Sequence, residues 1–417
     1  MSFPKRLSLL IGGCLLVVAV ATQAADWPQW RGIDRTGISK ETGLLKAWPE
    51  GGPKLVWTAR NLGEGHATPS VAGGRIYALG LRGDDEVAFA LEEKTGKELW
   101  ATKIAGRTSL QARQGGDGPR STPTIDGTSM YVLGVGGELA CLNVADGKLK
   151  WHKNLVNDFA GGVPTWGYSE SPLVDGNLVI VTPGARTTMV ALNKTTGELV
   201  WRNAIPNTSA GYSSLITATV EGQKQYVQLL AGGVVGVNAA DGQLAWRFEA
   251  PATPRGIVCS TPIYVDGHVF AASGYGHGGG LAKVGRSSAS EVYFTRNMKN
   301  QHGNMVVVGN YLYGSDDPDS LTCIDFKTGE VKWTSRNPGK GSVSFADGMV
   351  YARNERSGTI ALVEATPTGY VEKGRLEQPE RSRDSAWAHP VIANGKLYIR
   401  DQGILHCYDV RQGSAAQ

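Results

Sequence analysis

The sequence is poor in the residues that rare chemistry depends on. Among 417 residues there are five Cys, six Met and seven His, and no two cysteines are adjacent. That excludes a disulfide-dense scaffold and a vicinal disulfide. No run after residue 24 approaches the roughly 20 apolar residues needed to cross a bilayer as a helix. An excess of one charge is missing as well: 42 Lys and Arg face 38 Asp and Glu, and without Lys5 and Arg6 the formal charge falls from +4 to +2. Such a balance gives no general affinity for nucleic acid or anionic membranes. Sequence order shows no phosphate loop, no zinc spacing and no Ser-His-Asp set.

What is abundant is glycine, at 56 residues, and a repeat. The ending L-N-V-A-D-G-K-L-K-W at Leu142–Trp151 recurs with one spacing, so that aliphatic, Gly and Trp positions fall at Leu91, Gly96, Trp100; Leu192, Gly197, Trp201; Val237, Gly242, Trp246; and Ile324, Gly329, Trp333. A period of about 40 to 50 residues marks a propeller or a solenoid. Each unit follows one plan: a Ser/Thr-Pro entry, a strand, a Gly turn, a second strand with Tyr, a third ending in the aliphatic residue, and the Trp strand. Asp-Gly and Thr-Gly supply the positive φ of tight hairpins, and each Trp is expected to bury its ring against the adjoining blade with its indole N–H in a turn.

Eight entries begin near His66, Arg120, Ser169, Tyr212, Cys259, His302, Lys340 and Trp387. The fifth unit is read as ending in Val292-Tyr293-Phe294 and the seventh in Gly369-Tyr370-Val371. The eighth stops after three strands, and Lys54–Ala59, with the orphan Trp57, is expected to complete it against Leu405–Val410. Closure of that kind removes exposed sheet edges. The fold class is therefore all-β: an eight-bladed propeller of four-stranded antiparallel blades over residues 54–410, preceded by an arm at 25–53 and followed by a tail at 411–417.

Residues 1–24 read as a secretory signal, with Lys5 and Arg6 ahead of an apolar core from Leu7 to Val20 and small residues before Ala25. A periplasmic or secreted protein follows; the apolar stretch after Cys14 argues against a lipoprotein. Export permits disulfides, yet Cys141, Cys323 and Cys407 occupy one repeat position and are read as buried thiols. Trp27-Pro28-Gln29-Trp30-Arg31-Gly32 is read as an ordered arm packed on the main body.

Aligning the entries gives two rings on the innermost strands. Thr68, Thr122, Ser171, Ser214, Thr261, Asn304, Ser342 and His389 form a mostly hydroxyl ring, expected to satisfy backbone groups. Two residues earlier, on the same strand face, lie His66, Arg120, Ser169, Tyr212, Cys259, His302, Lys340 and Trp387, placed around the channel mouth. From the two rings and the loops come the candidate ligand or partner residues His66, Tyr168, His302, Lys340, Trp387 and His389. Glu170, beside Trp166 and Tyr168, is expected to pair with Arg120 or to meet a ligand. Convergence of His66, His302 and His389 on a metal is considered and not adopted, and Asp316-Asp317-Pro318-Asp319 is read as a hairpin turn. Long connections are placed at Lys103–Arg120 (with Arg107 and Arg113), Asn157–Ser169 and Gly274–Asn300.

The A-D-G-K-L-K-W endings and the S/T-P entries (Thr261-Pro262 to Gly267) make the repeat resemble that of the PQQ-like β-propellers. That group includes the quinoprotein alcohol dehydrogenases and the propeller lipoprotein of outer-membrane barrel assembly. The D-W-P-Q-W-R-G opening, Trp166–Pro172, Asn297–Asn300 and Trp387–Pro390 resemble a secreted branch without settled activity. The resemblance implies an eight-bladed propeller. It would place PQQ with calcium in the channel, with Arg120, Trp166, Glu170 and Asn304 as candidate cofactor contacts, but the absent vicinal cysteine pair argues against it. The reading is a monomeric binding or scaffolding protein, with a quinoprotein oxidoreductase and an outer-membrane assembly factor as alternatives.

Overall fold

A computed structural model describes residues 25–108 and 118–413. The predicted signal segment, Cys14 and Arg113 lie outside the described residues. All regular structure is β, arranged as eight sheets that each hold one four-stranded antiparallel blade. No helix among the described residues is long and apolar enough to cross a membrane.

Blade 1 shows the plan, with strands Ser70–Ala72, Arg75–Arg82, Asp85–Glu92 and Glu98–Gly106. Its second and third strands are buried along almost their whole length, whereas the fourth alternates at the rim. Between Glu98 and Trp100 the register shifts by a bulge, and matching shifts occur at Leu149/Trp151, Leu199/Trp201 and Leu244/Trp246. Such bulges increase twist and re-aim a side chain; here they turn the indole toward the next blade. Trp57, Trp100, Trp151, Trp201 and Trp333 each donate from Nε1 to a carbonyl in the following blade's hairpin. In blade 5 Tyr293 does this with its hydroxyl, donating to Phe326. Trp246 departs from the pattern and donates to Gln225 in its own blade; the matching turn of the blade after it, Gly285-Arg286-Ser287-Ser288, has neither Asp-Gly nor Thr-Gly.

Blade 8 consists of Val391–Ala393, Lys396–Asp401, Ile404–Asp409 and, as its outermost strand, Lys54–Ala59. Lys54 pairs with Asp409 and Ala59 with Leu405.

Blade 7 ends differently from the sequence reading. Its fourth strand is Glu372–Leu376, not Gly369–Val371, and the indole position opposite Leu362 holds Gly374. A Cβ built there would stand 2.5 Å from the Trp48 Cβ. Trp48, from the arm, packs on Tyr351 with ring centroids 5.9 Å apart, a spacing close to the 6.0 Å of Trp151 on Tyr131. An aromatic distant in sequence thus fills the slot that blade 7 leaves empty. Gly274–Asn300 is likewise not a loop, since strands Gly278–Val284 and Ala289–Thr295 of blade 5 lie within it.

The arm crosses the channel, because it touches all eight blades. Trp27 exchanges backbone hydrogen bonds with Val71 of blade 1, and Pro28 accepts one from Ile125 of blade 2. The Arg35 guanidinium donates to the Ser171 and Pro172 carbonyls of blade 3 and to Leu215 of blade 4. Trp30 donates to Thr261 of blade 5, and Arg31 to the Met305 carbonyl of blade 6. Ile38–Ser39 adds a short parallel strand to blade 7, and Glu41 accepts from Gly395 of blade 8. Arg31 and Arg35 are almost fully buried, and burial pulls both guanidinium pKa values down to about 9.

Candidate functional site

With the arm across its middle, the channel is left as a cavity of about 560 Å³ at one mouth. Trp30 contributes to its floor, and seven of the eight residues in the predicted outer ring line its wall: His66, Arg120, Ser169, Tyr212, Cys259, His302 and Trp387. The eighth, Lys340, stands behind the wall and holds Asp317 at 2.8 Å and the lining residue Glu355 at 3.4 Å. Trp166 and Asn304 also face the cavity, as does His389.

The hydroxyl ring works largely in the backbone. Thr122 N–H donates to Ser171 Oγ, Ser171 N–H to Ser214 Oγ, Thr261 N–H to Asn304 Oδ1 and His389 N–H to Thr68 Oγ1. Every one of these bonds joins a blade to the next. Two residues further along, Ser70, Thr124 and Ser344 donate to the carbonyls of Pro123, Pro172 and Pro390 in the neighbouring blades. The Ser/Thr-Pro entry is therefore a pair of inter-blade ties at the inner strand.

Aromatic rings dominate one side of the cavity. Trp387 lies between His66 and His302, with centroid distances of 4.7 and 4.2 Å. His389 packs against Trp30 at 4.7 Å and meets the His302 carbonyl through Nε2 at 3.0 Å. Burial drives the His389 pKa down to about 3, and the Arg31 charge adds to the effect. His302 is also lowered, chiefly by burial, although its Nδ1 lies 3.8 Å from Glu355. Both imidazoles are neutral at pH 7. Trp387 stands between His66 and His302, and no group of three metal-ligating side chains occurs among the described residues.

Three polar atoms of lining residues, Trp387 Nε1, Ser169 Oγ and His302 Nδ1, are buried without a hydrogen-bond partner. Cys259 is half-buried in the wall, its thiol pushed up to about 12 by burial. Cys141, Cys323 and Cys407 are buried and unpaired.

Glu170 and Tyr168 do not lie where the sequence reading put them. Glu170 is 3 % exposed and lies beneath the mouth, accepting from the Thr182 N–H and from Gln228 Nε2. The charge that acts on it is that of the arm's Arg35, which forms no ion pair with it; Arg120 Nη1 donates to the Trp166 carbonyl at 3.2 Å. Burial raises the Glu170 carboxyl to about 7 against these contacts. Tyr168 is 2 % exposed, packs in the core between blades 2 and 3, and donates to the Pro183 carbonyl. The period-two alternation explains both errors, because the residues flanking Ser169 point away from the face that Ser169 presents.

Sequence reasoning missed Trp30, Tyr275, Gln301, Glu355 and the Arg383-Asp384-Ser385 turn, all of which line the cavity. Trp30 was visible only as part of an arm motif. Glu355 follows the second strand of blade 7, at a hairpin whose counterparts carry no shared residue, so the repeat gave no signal for it.

The family model described as outer membrane protein assembly factor BamB matches residues 34–114 and 83–335. The chain belongs to this family. It is similar to the tetrathionate hydrolase of Acidithiobacillus ferrooxidans, at 23 % identity over 90 % of this chain and 80 % of that protein. BamB of Shewanella oneidensis is likewise 23 % identical, over 94 % of this chain and 95 % of its own. Among solved structures, BamB from Moraxella catarrhalis superposes with a TM-score of 0.63 at 14 % identity, covering 87 % of this chain and 99 % of that one. Quinohemoprotein alcohol dehydrogenase from Comamonas testosteroni gives 0.55 at 13 %, covering 94 % and 81 %. The PQQ-like propeller fold is shared with these solved structures, and a fold hosts many functions.

Proposed function

We propose that the chain is an exported propeller that binds a small polar ligand with a flat face in the arm-floored channel mouth. The observation that carries this reading is the cavity itself: about 560 Å³, within the roughly 300–1,000 Å³ of ordinary ligand sites. Trp30, Trp166, Tyr212 and Trp387 offer ring faces there, while Arg120, Gln301 and Asn304 offer polar groups. Lining charges balance, Arg120 and Arg383 against Glu355 and Asp384, which favours a neutral or zwitterionic ligand. The unpartnered Trp387 Nε1 and Ser169 Oγ support the reading, since buried polar atoms ordinarily have partners. Export rests on the sequence of residues 1–24 and agrees with the family.

Outer-membrane assembly is the second reading, favoured by the family match. It is tested by crosslinking in intact cells: co-purification of barrel-assembly components would assign the chain to that work.

The donor set weighs against the quinone alternative. Glu170, expected to hold the ion, is spent on Thr182 and Gln228, and Asn304 Oδ1 on the Thr261 N–H. Adding PQQ with calcium to the purified chain is expected to leave the thermal midpoint unmoved and to support no dye-linked alcohol oxidation. A shift with dye reduction would replace the binding reading with the quinoprotein one.

A further inference from the structure

The residue that follows the predicted signal segment meets an acid. The Ala25 backbone nitrogen donates to Glu41 Oε1 at 3.1 Å, and Gly395 N–H donates to Glu41 Oε2 at 2.8 Å. Glu41 is 3 % exposed and has no cation within ion-pair distance among the described residues. Two further carboxylates lie close by. Asp26 and Glu93 are both held by the Asn394 amide, Glu93 also accepts from Tyr398, and neither has a lysine or arginine partner there. Buried or clustered carboxylates without a counter-charge are costly. The site therefore asks for a positive charge that no side chain supplies.

We infer that Glu41 is the receptor for the α-ammonium of the mature chain, created when the Ala24–Ala25 peptide bond is hydrolysed. In the uncut chain the Ala25 nitrogen is an amide, with one hydrogen and no charge. Hydrolysis adds water across the bond, leaving the Ala24 carboxylate on the released segment and an –NH3⁺ group on Ala25. That group keeps the bond to Glu41 and adds an ion pair inside the surrounding acid cluster. Residues 25–41 form a loop whose two ends meet at this contact, and Trp30, Arg31 and Arg35 lie between them. Cutting thus adds an ion pair that fastens the segment flooring the cavity.

This inference rests on the export reading, and its test separates the two. The chain is made with a removable leader whose protease leaves Ala25 first, and thermal midpoints are compared before and after cutting, for wild type and for Glu41→Gln. Cutting is expected to raise the wild-type midpoint by a few degrees and to leave Glu41→Gln unchanged. Selective acylation of the Ala25 α-amine in cut wild type, which requires no variant to fold, is expected to remove the gain. A gain of equal size in Glu41→Gln, a gain that survives acylation, or no gain at all would overturn the ion pair. N-terminal sequencing of the exported protein reads the cutting position separately: Ala25 supports the processing step, and any other first residue overturns it while leaving the ligand reading of the mouth intact.

Discussion

The Trp57 ring lies on Gly96, so that a Cβ built on that glycine would come within 2.6 Å of it. Trp57 belongs to the strand that completes blade 8, and Gly96 to the last hairpin of blade 1. The ring is therefore closed by the same contact that Trp100 makes on Gly147 and Trp151 on Gly197. The Gly and the Trp of the repeat serve different interfaces: each glycine receives the aromatic ring of the blade before it, an indole at Gly96, Gly147, Gly197 and Gly242 and the Tyr293 phenol at Gly329.

Gly96 adopts φ 72°, so alanine there meets both backbone strain and the indole. Gly96→Ala is expected to cost about 2–4 kcal/mol, from overpacking of ~1–3 kcal/mol plus strain of ~1 kcal/mol. Trp57→Ala should cost about 3 kcal/mol or more. The double variant should cost less than the sum of the two, because removing the ring frees the space. Urea denaturation of the four proteins checks this, and additivity would show that the contact is not the closing latch.

Arg35 ties blades 3 and 4 to the arm and is the cation facing Glu170. Arg35→Met leaves three buried carbonyls without their donor and removes the positive charge acting on Glu170. The expected loss is about 3–5 kcal/mol, read as a lowered thermal midpoint. Faster amide exchange at Trp30 and Gly37 should accompany it, since those residues depend on the arm's seating.

Glu170 gives stability a pH dependence of definite sign. Its folded carboxyl titrates at about 7 against an ordinary 4.5, so the folded state holds its proton where the unfolded chain has lost it. No cost exists below about pH 4.5. The cost grows as pH rises from there and is complete above about 7, at on the order of 3 kcal/mol. Glu170→Gln should flatten the fall in stability across that window when denaturation midpoints are taken at several pH values. Parallel profiles for the two proteins would contradict the assignment.

The fold was readable because the repeat is local and periodic. Eight entries, the Trp latch and even the closing strand follow from spacing alone, and the same alignment put seven ring residues on the cavity wall. What spacing cannot show is a contact between segments distant in sequence. Trp48 substitutes for blade 7's missing indole, Trp30 floors the cavity, and Glu170 faces the arm's Arg35 instead of Arg120. All three involve the arm, which has no period, and Glu355 belongs to a hairpin with no repeat counterpart.

Whether the arm-floored mouth holds a ligand is decided by a ligand-observed NMR screen of the mature chain against a library of small polar metabolites. Each hit is repeated with the Trp166→Ala/Trp387→Ala protein, first shown to be folded by its thermal midpoint. Hits on wild type are expected, each losing at least tenfold in affinity in the double variant. An empty screen, or hits that bind both proteins equally, would contradict it.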